Sequence, residues 1–147
     1  MPWPDSSVAA VGDCLPPLVL GPVTRHMLGW YAGASGDYNP LHIDQDYARL
    51  EAGMPDVFAH GMLSAAFLAR VLTGWVEPTA IRQLSIRFVA ITQVGDEVHC
   101  HATVTERWLE QQTPCVRLAL RVHDRAGSTK LTGTAVVAVP GSHKDAI

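Results

Sequence analysis

Three runs in the second half of the chain alternate apolar and polar residues with a period of two. Leu84, Ile86, Phe88 and Ala90 alternate with Gln83, Ser85, Arg87 and Val89. Val98, Cys100, Ala102 and Val104 alternate with His99, His101, Thr103 and Thr105. Val116, Leu118, Leu120 and Val122 alternate with Arg117, Ala119, Arg121 and His123, and a last apolar run covers 131–139. Neighbouring side chains in a strand point to opposite faces, so each run predicts a strand with one face on a core. Gly95-Asp96, residues 111–114 and Ala126-Gly127 carry turn chemistry. Residues 59–73 follow another rule. Met62, Leu63, Ala65, Ala66, Phe67, Leu68, Ala69, Val71 and Leu72 leave nearly every side apolar before the terminator Gly74. A helix apolar all round has to be wrapped by the rest of its domain, and its alanines let a sheet approach closely.

The first half is more broken. Residues 1–17 are Pro-rich and irregular, with a turn signal at Gly12-Asp13, and 18–23 reads as a short strand. Thr24 caps a helix over 25–34, where Met27, Trp30, Tyr31 and Ala34 recur at helical spacing. Ser35-Gly36-Asp37 ends it, and Asn39-Pro40 breaks the chain again, because proline pushes the preceding residue out of helical geometry. Asp44 caps a second short helix through Tyr47 and Leu50, closed by Gly53 and Pro55. Short connections among the late strands favour an antiparallel meander. The expected architecture is α+β, a curved antiparallel sheet wrapped around one long buried helix. It forms one domain over 1–147, with 1–17 irregular and 141–147 a tail.

Composition narrows the function. The 147 residues are 48% hydrophobic and 17% charged, with a formal charge of −3, which excludes intrinsic disorder. Eleven Lys and Arg against fourteen Asp and Glu leave no general field for phosphate, so no nucleic-acid partner is expected. Cys14, Cys100 and Cys115 are odd in number and widely spaced, which suits a reducing compartment. No secretory signal is visible at the N-terminus. The longest apolar stretch, 62–72, is interrupted by Ser64 and Arg70 and too short for a bilayer. A cytoplasmic protein without a membrane partner is the expectation.

Chemistry concentrates in 34–48, Ala-Ser-Gly-Asp-Tyr-Asn-Pro-Leu-His-Ile-Asp-Gln-Asp-Tyr-Ala. Asp37 and His42 bracket the Asn39-Pro40 turn, which can hold a carboxylate and an imidazole across one gap. Such a pair can grip a water and share its protons, typically a contribution of about 10²- to 10⁴-fold. The plainer reading is a turn cap and an ordinary histidine. A second element, Phe58-Ala59-His60-Gly61-Met62, opens the apolar helix. Free amides there can polarise a carbonyl, and Gly61 has no side chain to keep a substrate oxygen away. The plainer reading makes His60 a cap and Gly61 a packing residue.

Taken together, Ser35-Gly36-Asp37-Tyr38-Asn39-Pro40-Leu41-His42-Ile43-Asp44, Tyr47-Ala48 and His60-Gly61-Met62 resemble the MaoC-like dehydratases, the (R)-specific enoyl-CoA hydratases of the hot-dog fold. The resemblance runs from about Leu18 onward. It implies that Asp37 and His42 hold the water that adds across a trans-2-enoyl thioester, giving an (R)-3-hydroxyacyl thioester, with dehydration as the reverse. It implies that Asn39 shapes the site and that the Gly61 amide binds the thioester oxygen. His60 and Met62 join Asn39 as expected substrate-binding residues. No metal or organic cofactor is expected; coenzyme A or an acyl carrier arrives as part of the substrate. A homodimer is implied, and a heterodimer with a second hot-dog chain stays open. Alternatives are a 3-hydroxyacyl-carrier-protein dehydratase, a hot-dog thioesterase with Asp37 activating water, and a non-catalytic acyl-thioester-binding subunit. One departure is expected: members often carry a serine two turns into the long helix, and Ala69 stands at the position read as equivalent.

Other residues carry weaker signals. Trp30, Phe58, Phe67 and Trp75 are candidates to line an acyl tunnel. Arg70, Arg82 and Arg87 could reach coenzyme A phosphates, although solvated surface charges explain each alone. His99 and His101 share a strand face that could chelate a metal, but no third ligand stands at a suitable spacing, so ordinary surface histidines are expected. Asp44, Asp46 and Glu51 suit a solvated helix start.

Overall fold

A computed structural model describes residue 5 and residues 9–139 of the chain. The elements run β1 (Leu18–Leu20), α1 (Arg25–Ser35), α2 (Gln45–Leu50), α3 (Gly61–Thr73), β2 (Ile81–Phe88), β3 (Val98–Glu110), β4 (Thr113–His123) and β5 (Thr129–Ala138). Short 3-10 turns stand at Pro40–His42 and Pro78–Ala80. Local chemistry sets several boundaries. The Thr24 hydroxyl accepts the Met27 amide at 3.1 Å to start α1, and Gly36, at φ 75°, closes it in a left-handed conformation that favours glycine. One Asp44 oxygen caps α2 from the amides of Asp46 and Tyr47, at 3.0 Å each.

All strand pairs are antiparallel, in the order β1-β3-β4-β5-β2. The expected meander holds only for β3, β4 and β5. β2 leaves the series to pair with β5 at the sheet edge, so the following segment, 89–97, crosses to the other side. Its path is fixed beside α3: Thr92 accepts the Ala59 amide at 2.9 Å and shares a 3.2 Å hydroxyl contact with Ser64. The β3–β4 loop shrinks to Gln111 and Gln112, at φ 47° and 70°, a conformation usually given to Asn-Gly. The long β3–β4 ladder imposes that turn on unfavourable residues.

The core lies between α3 and the sheet. Leu63, Leu68, Val71 and Leu72 of α3 pack with Val98, Cys100, Ala102 and Val104 of β3 and Val116, Leu118, Leu120 and Val122 of β4. Each such leucine contributes about 1.5–3 kcal/mol by leaving water. Burial pushes the Cys100 thiol up to about 12, although Arg70 pulls the other way. It is a core residue. Residues 9–17 lack regular structure but are docked: the Gly12 and Leu15 amides donate to the carbonyls of Val104 and Ala102, at 2.8 and 2.9 Å. The 141–147 tail, and residues 1–4 and 6–8 of the irregular opening, lie outside the described residues.

One expectation is corrected. α3 is wrapped on one side only: Gly61, Met62, Ala66 and Arg70 are exposed in the single chain. The apolar set of β2 is likewise uncovered, with only Ile81 and Ile86 partly buried. The helix is apolar all round, yet one chain covers half of it.

Candidate active site

The loop after α1 is knotted by its own side chains. The Asp37 amide donates to the Ser35 hydroxyl, and an Asp37 carboxylate oxygen accepts the Asn39 amide, both at 3.2 Å. The Asn39 side-chain oxygen then accepts the Leu41 amide at 3.1 Å, capping the 3-10 turn that opens on Pro40 and ends on His42. This chain of local bonds brings Asp37 and His42 to one gap. A donor atom from each of Asp37, His42 and His60 lies within 4.8 Å of the others. The Asn39 side chain thereby holds the turn between Asp37 and His42.

The histidine tautomers follow from their partners, since a carbonyl only accepts. His42 Nδ1–H donates to the Phe58 carbonyl at 2.7 Å, leaving Nε2 with a bare lone pair. Its ring meets Phe58 edge-on at 5.0 Å and stacks on His60 at 3.9 Å. His60, 1% exposed, donates Nε2–H to the Asp37 carbonyl at 3.1 Å. Its Nδ1 is buried without a hydrogen-bond partner among the described residues. Burial pushes His60 below the ordinary imidazole value; the His42 charge adds to this, while the Asp37 carbonyl and carboxylate oppose it. His60 therefore backs His42 as a neutral ring, with Tyr31 edge-on at 4.9 Å. Its ring is packed between His42 and Tyr31. By distance, the Asp37–His42–His60 group could also hold a cation, although one nitrogen of each imidazole is committed to a carbonyl.

Gly61 opens α3, and the first amides of a helix have no partner within it. Gly61 also lines a cavity of about 300 Å³ with Phe58, Ala59, Ser64, Phe88 and residues 89–92. An ideal Cβ on Gly61 would stand 2.9 Å from a Phe88 ring carbon, so any side chain here would displace the ring that lies on this glycine. The apolar wall of Phe88, Val89 and Ile91 and the Ser64–Thr92 pair went unread in the sequence. Phe88 has the alternation of a core strand, and Ser64 looks like an interruption in an apolar helix. Ser64, rather than any residue near Ala69, supplies the helix hydroxyl at this cavity. Met62 is 59% exposed and lies outside it. Of the four aromatics expected to line a tunnel, Phe58 alone does so. Trp30 is exposed beside His26, Phe67 packs on the core, and Trp75 lies with Arg82 on a separate groove of about 820 Å³.

No helix among the described residues is long and apolar enough to cross a membrane. Residues 19–125 match the family model described as MaoC like domain. A protein of Rhodospirillum rubrum named (R)-specific enoyl-CoA hydratase is 38% identical over 112 residues, covering 75% of each chain. The solved (R)-hydratase from A. caviae involved in PHA biosynthesis superposes with a TM-score of 0.76 at 28% identity, over 90% of this chain and 98% of that one. The unliganded R-hydratase PhaJ1 from Pseudomonas aeruginosa gives a TM-score of 0.79 at 26% identity, over 92% and 85%. The five-stranded antiparallel sheet packed on α3 is the hot-dog arrangement of these structures. With the Asp37–His42 turn and the His60-Gly61 helix start both present, the chain belongs to the MaoC-like family.

Proposed function

We propose that the protein is an (R)-specific hydratase/dehydratase, adding water to a trans-2-enoyl thioester or removing it from an (R)-3-hydroxyacyl thioester. One observation carries the reading: Asp37 and His42 face one gap beside an apolar cavity bordered by the open amide end of α3. The activity named for the Rhodospirillum rubrum relative supports it. A water held between the carboxylate and the bare Nε2 of His42 loses a proton as its oxygen attacks C3. Charge moves to the thioester oxygen, where the Gly61 amide stabilises it, a contribution of about 3–4 kcal/mol for one donor. A proton returns through the pair to C2, so that one water adds across the double bond. The step needs no metal or organic cofactor, and coenzyme A or an acyl carrier protein belongs to the substrate. Replacing Asp37 by Asn or His42 by Ala is expected to cut turnover by about 10²–10⁴-fold with thermal unfolding unchanged. Full activity in either variant overturns the assignment.

The working unit in this reading is a homodimer in a reducing, cytoplasmic compartment, consistent with free Cys14, Cys100 and Cys115. β2 is an unpaired edge bearing exposed Leu84 and Phe88, next to the uncovered side of α3. A second copy adding its own β2 about a two-fold axis extends the sheet and covers that side.

A further inference from the structure

On the face of the sheet opposite the core, His99 and His101 of β3 meet His123 of β4. Strand pairing supplies the third imidazole that the local sequence lacks: His99 sits opposite His123 in register, 22 positions from His101. A nitrogen from each ring lies within 4.8 Å of the others, and all three side chains are partly buried. We propose that His99, His101 and His123 form a binding site for a late first-row divalent cation such as Zn²⁺, with Glu97 orienting the His99 ring. It is separate from the Asp37–His42 gap and has no part in the hydration chemistry.

The donors are already prepared. His123 Nδ1–H donates to the Asp124 carbonyl at 2.6 Å, leaving Nε2 bare. His99 Nε2 lies 2.7 Å from a Glu97 oxygen, a carboxylate–imidazole contact of the kind that fixes metal ligands and leaves Nδ1 bare. His101 Nε2 stands 2.9 Å from His123 Nε2, so these two nitrogens share one proton. Moving that proton to Nδ1 of His101 frees both lone pairs with no net release. In a tetrahedral site with zinc–nitrogen bonds of about 2.0–2.1 Å, two ligands stand about 3.3 Å apart. The pair has to open by only a few tenths of an ångström, and solvent fills the fourth position.

The electrostatics are compatible with a cation. The rings of His99 and His101 each lie nearly parallel to His123, at 12° and 10°, with centroids 5.0 and 4.9 Å apart. A proton on one ring is repelled by a proton on the next. Burial holds His101 below the ordinary imidazole value, and His123, His99 and Arg121 add to this. Arg121 opposes a cation, but its guanidinium is drawn to the Thr129 hydroxyl and the Gly127 carbonyl, at 3.0 and 2.9 Å. Glu97 supplies the compensating negative charge.

The test uses the full chain without an affinity tag, stripped with chelator and titrated with Zn²⁺ by calorimetry and with Co²⁺ by visible absorption. The expected result is one cation per chain, the spectrum of four- or five-coordinate Co²⁺, and a higher unfolding temperature when loaded. His123→Gln and His101→Gln should each weaken binding at least about tenfold, leave circular dichroism unchanged and leave hydration activity unchanged. His42→Gln should bind as wild type, which separates this site from the Asp37–His42–His60 group. Should one variant misfold, the other and the wild-type Co²⁺ spectrum decide. No binding at about 100 µM Zn²⁺, binding that survives both variants, or binding lost in His42→Gln overturns the proposal.

Discussion

Gly61→Ala separates the catalytic from the structural demand on the start of α3. The new Cβ would fall 2.9 Å from Phe88 Cε1 and 3.2 Å from Cδ1, so the ring must move. Phe88 is 52% exposed and can swing, at a rotamer cost of about 0.5–1.5 kcal/mol. Alanine returns up to about 1 kcal/mol of helix propensity over glycine, less at a first position than in an interior. The two nearly cancel, and stability should change by no more than about 1 kcal/mol, a few degrees in unfolding temperature. Activity has no such compensation. The methyl group and the displaced ring both crowd the amide at the cavity of about 300 Å³. Losing that donor removes about 3–4 kcal/mol of transition-state stabilisation, about 10²–10³-fold in kcat. The assay follows loss of enoyl-thioester absorbance alongside thermal unfolding. Activity regained in Gly61→Ala/Phe88→Ala measures the share due to the ring. A Gly61→Ala protein within about threefold of wild-type kcat/KM would refute the role of the amide. A collapse in unfolding temperature would mean that this glycine serves the fold.

Three further outcomes are expected. Lys130, buried with Nζ 3.1 Å from Asp96, 3.2 Å from Asp124 and 3.0 Å from the Ile91 carbonyl, pins the crossing segment to the β4–β5 turn. Lys130→Met leaves Asp96 and Asp124 only their backbone donors and should lower the urea unfolding midpoint; an unchanged midpoint would contradict this. Burial holds His60 and His101 below the ordinary value of 6.5, so the unfolded chain takes up more protons as pH falls through that value. Stability should therefore be lower at about pH 5.5 than at pH 7.5, and His101→Gln should shrink the difference in thermal scans. Leu84→Lys places charge on the open β2 edge and should convert a wild-type dimer to a monomer in sedimentation; a monomeric wild type would remove that interface.

The features legible in the sequence were those that neighbouring residues decide. Thr24 and Asp44 cap helices through amides two or three positions away, and Asn39-Pro40 holds Asp37 and His42 by bonds confined to one loop. Non-local pairing hid the rest. β2 alternates like any half-buried strand, and nothing in it says that it joins β5 instead of β3. The apolar surround of α3 predicts cover on every side, but a single chain supplies that cover on one side only. The stacking of His60 on His42 joins two segments that no local spacing connects. His99 and His101 lacked a third partner until β4 brought His123 across the ladder.

The central claim is tested most directly by adding purified protein to a short trans-2-enoyl-CoA. Loss of enoyl absorbance is followed, the chirality of the product is determined, and Asp37→Asn serves as control. The account predicts turnover by the wild type alone and an (R)-3-hydroxyacyl product. An (S) product, or equal turnover by Asp37→Asn, would contradict it.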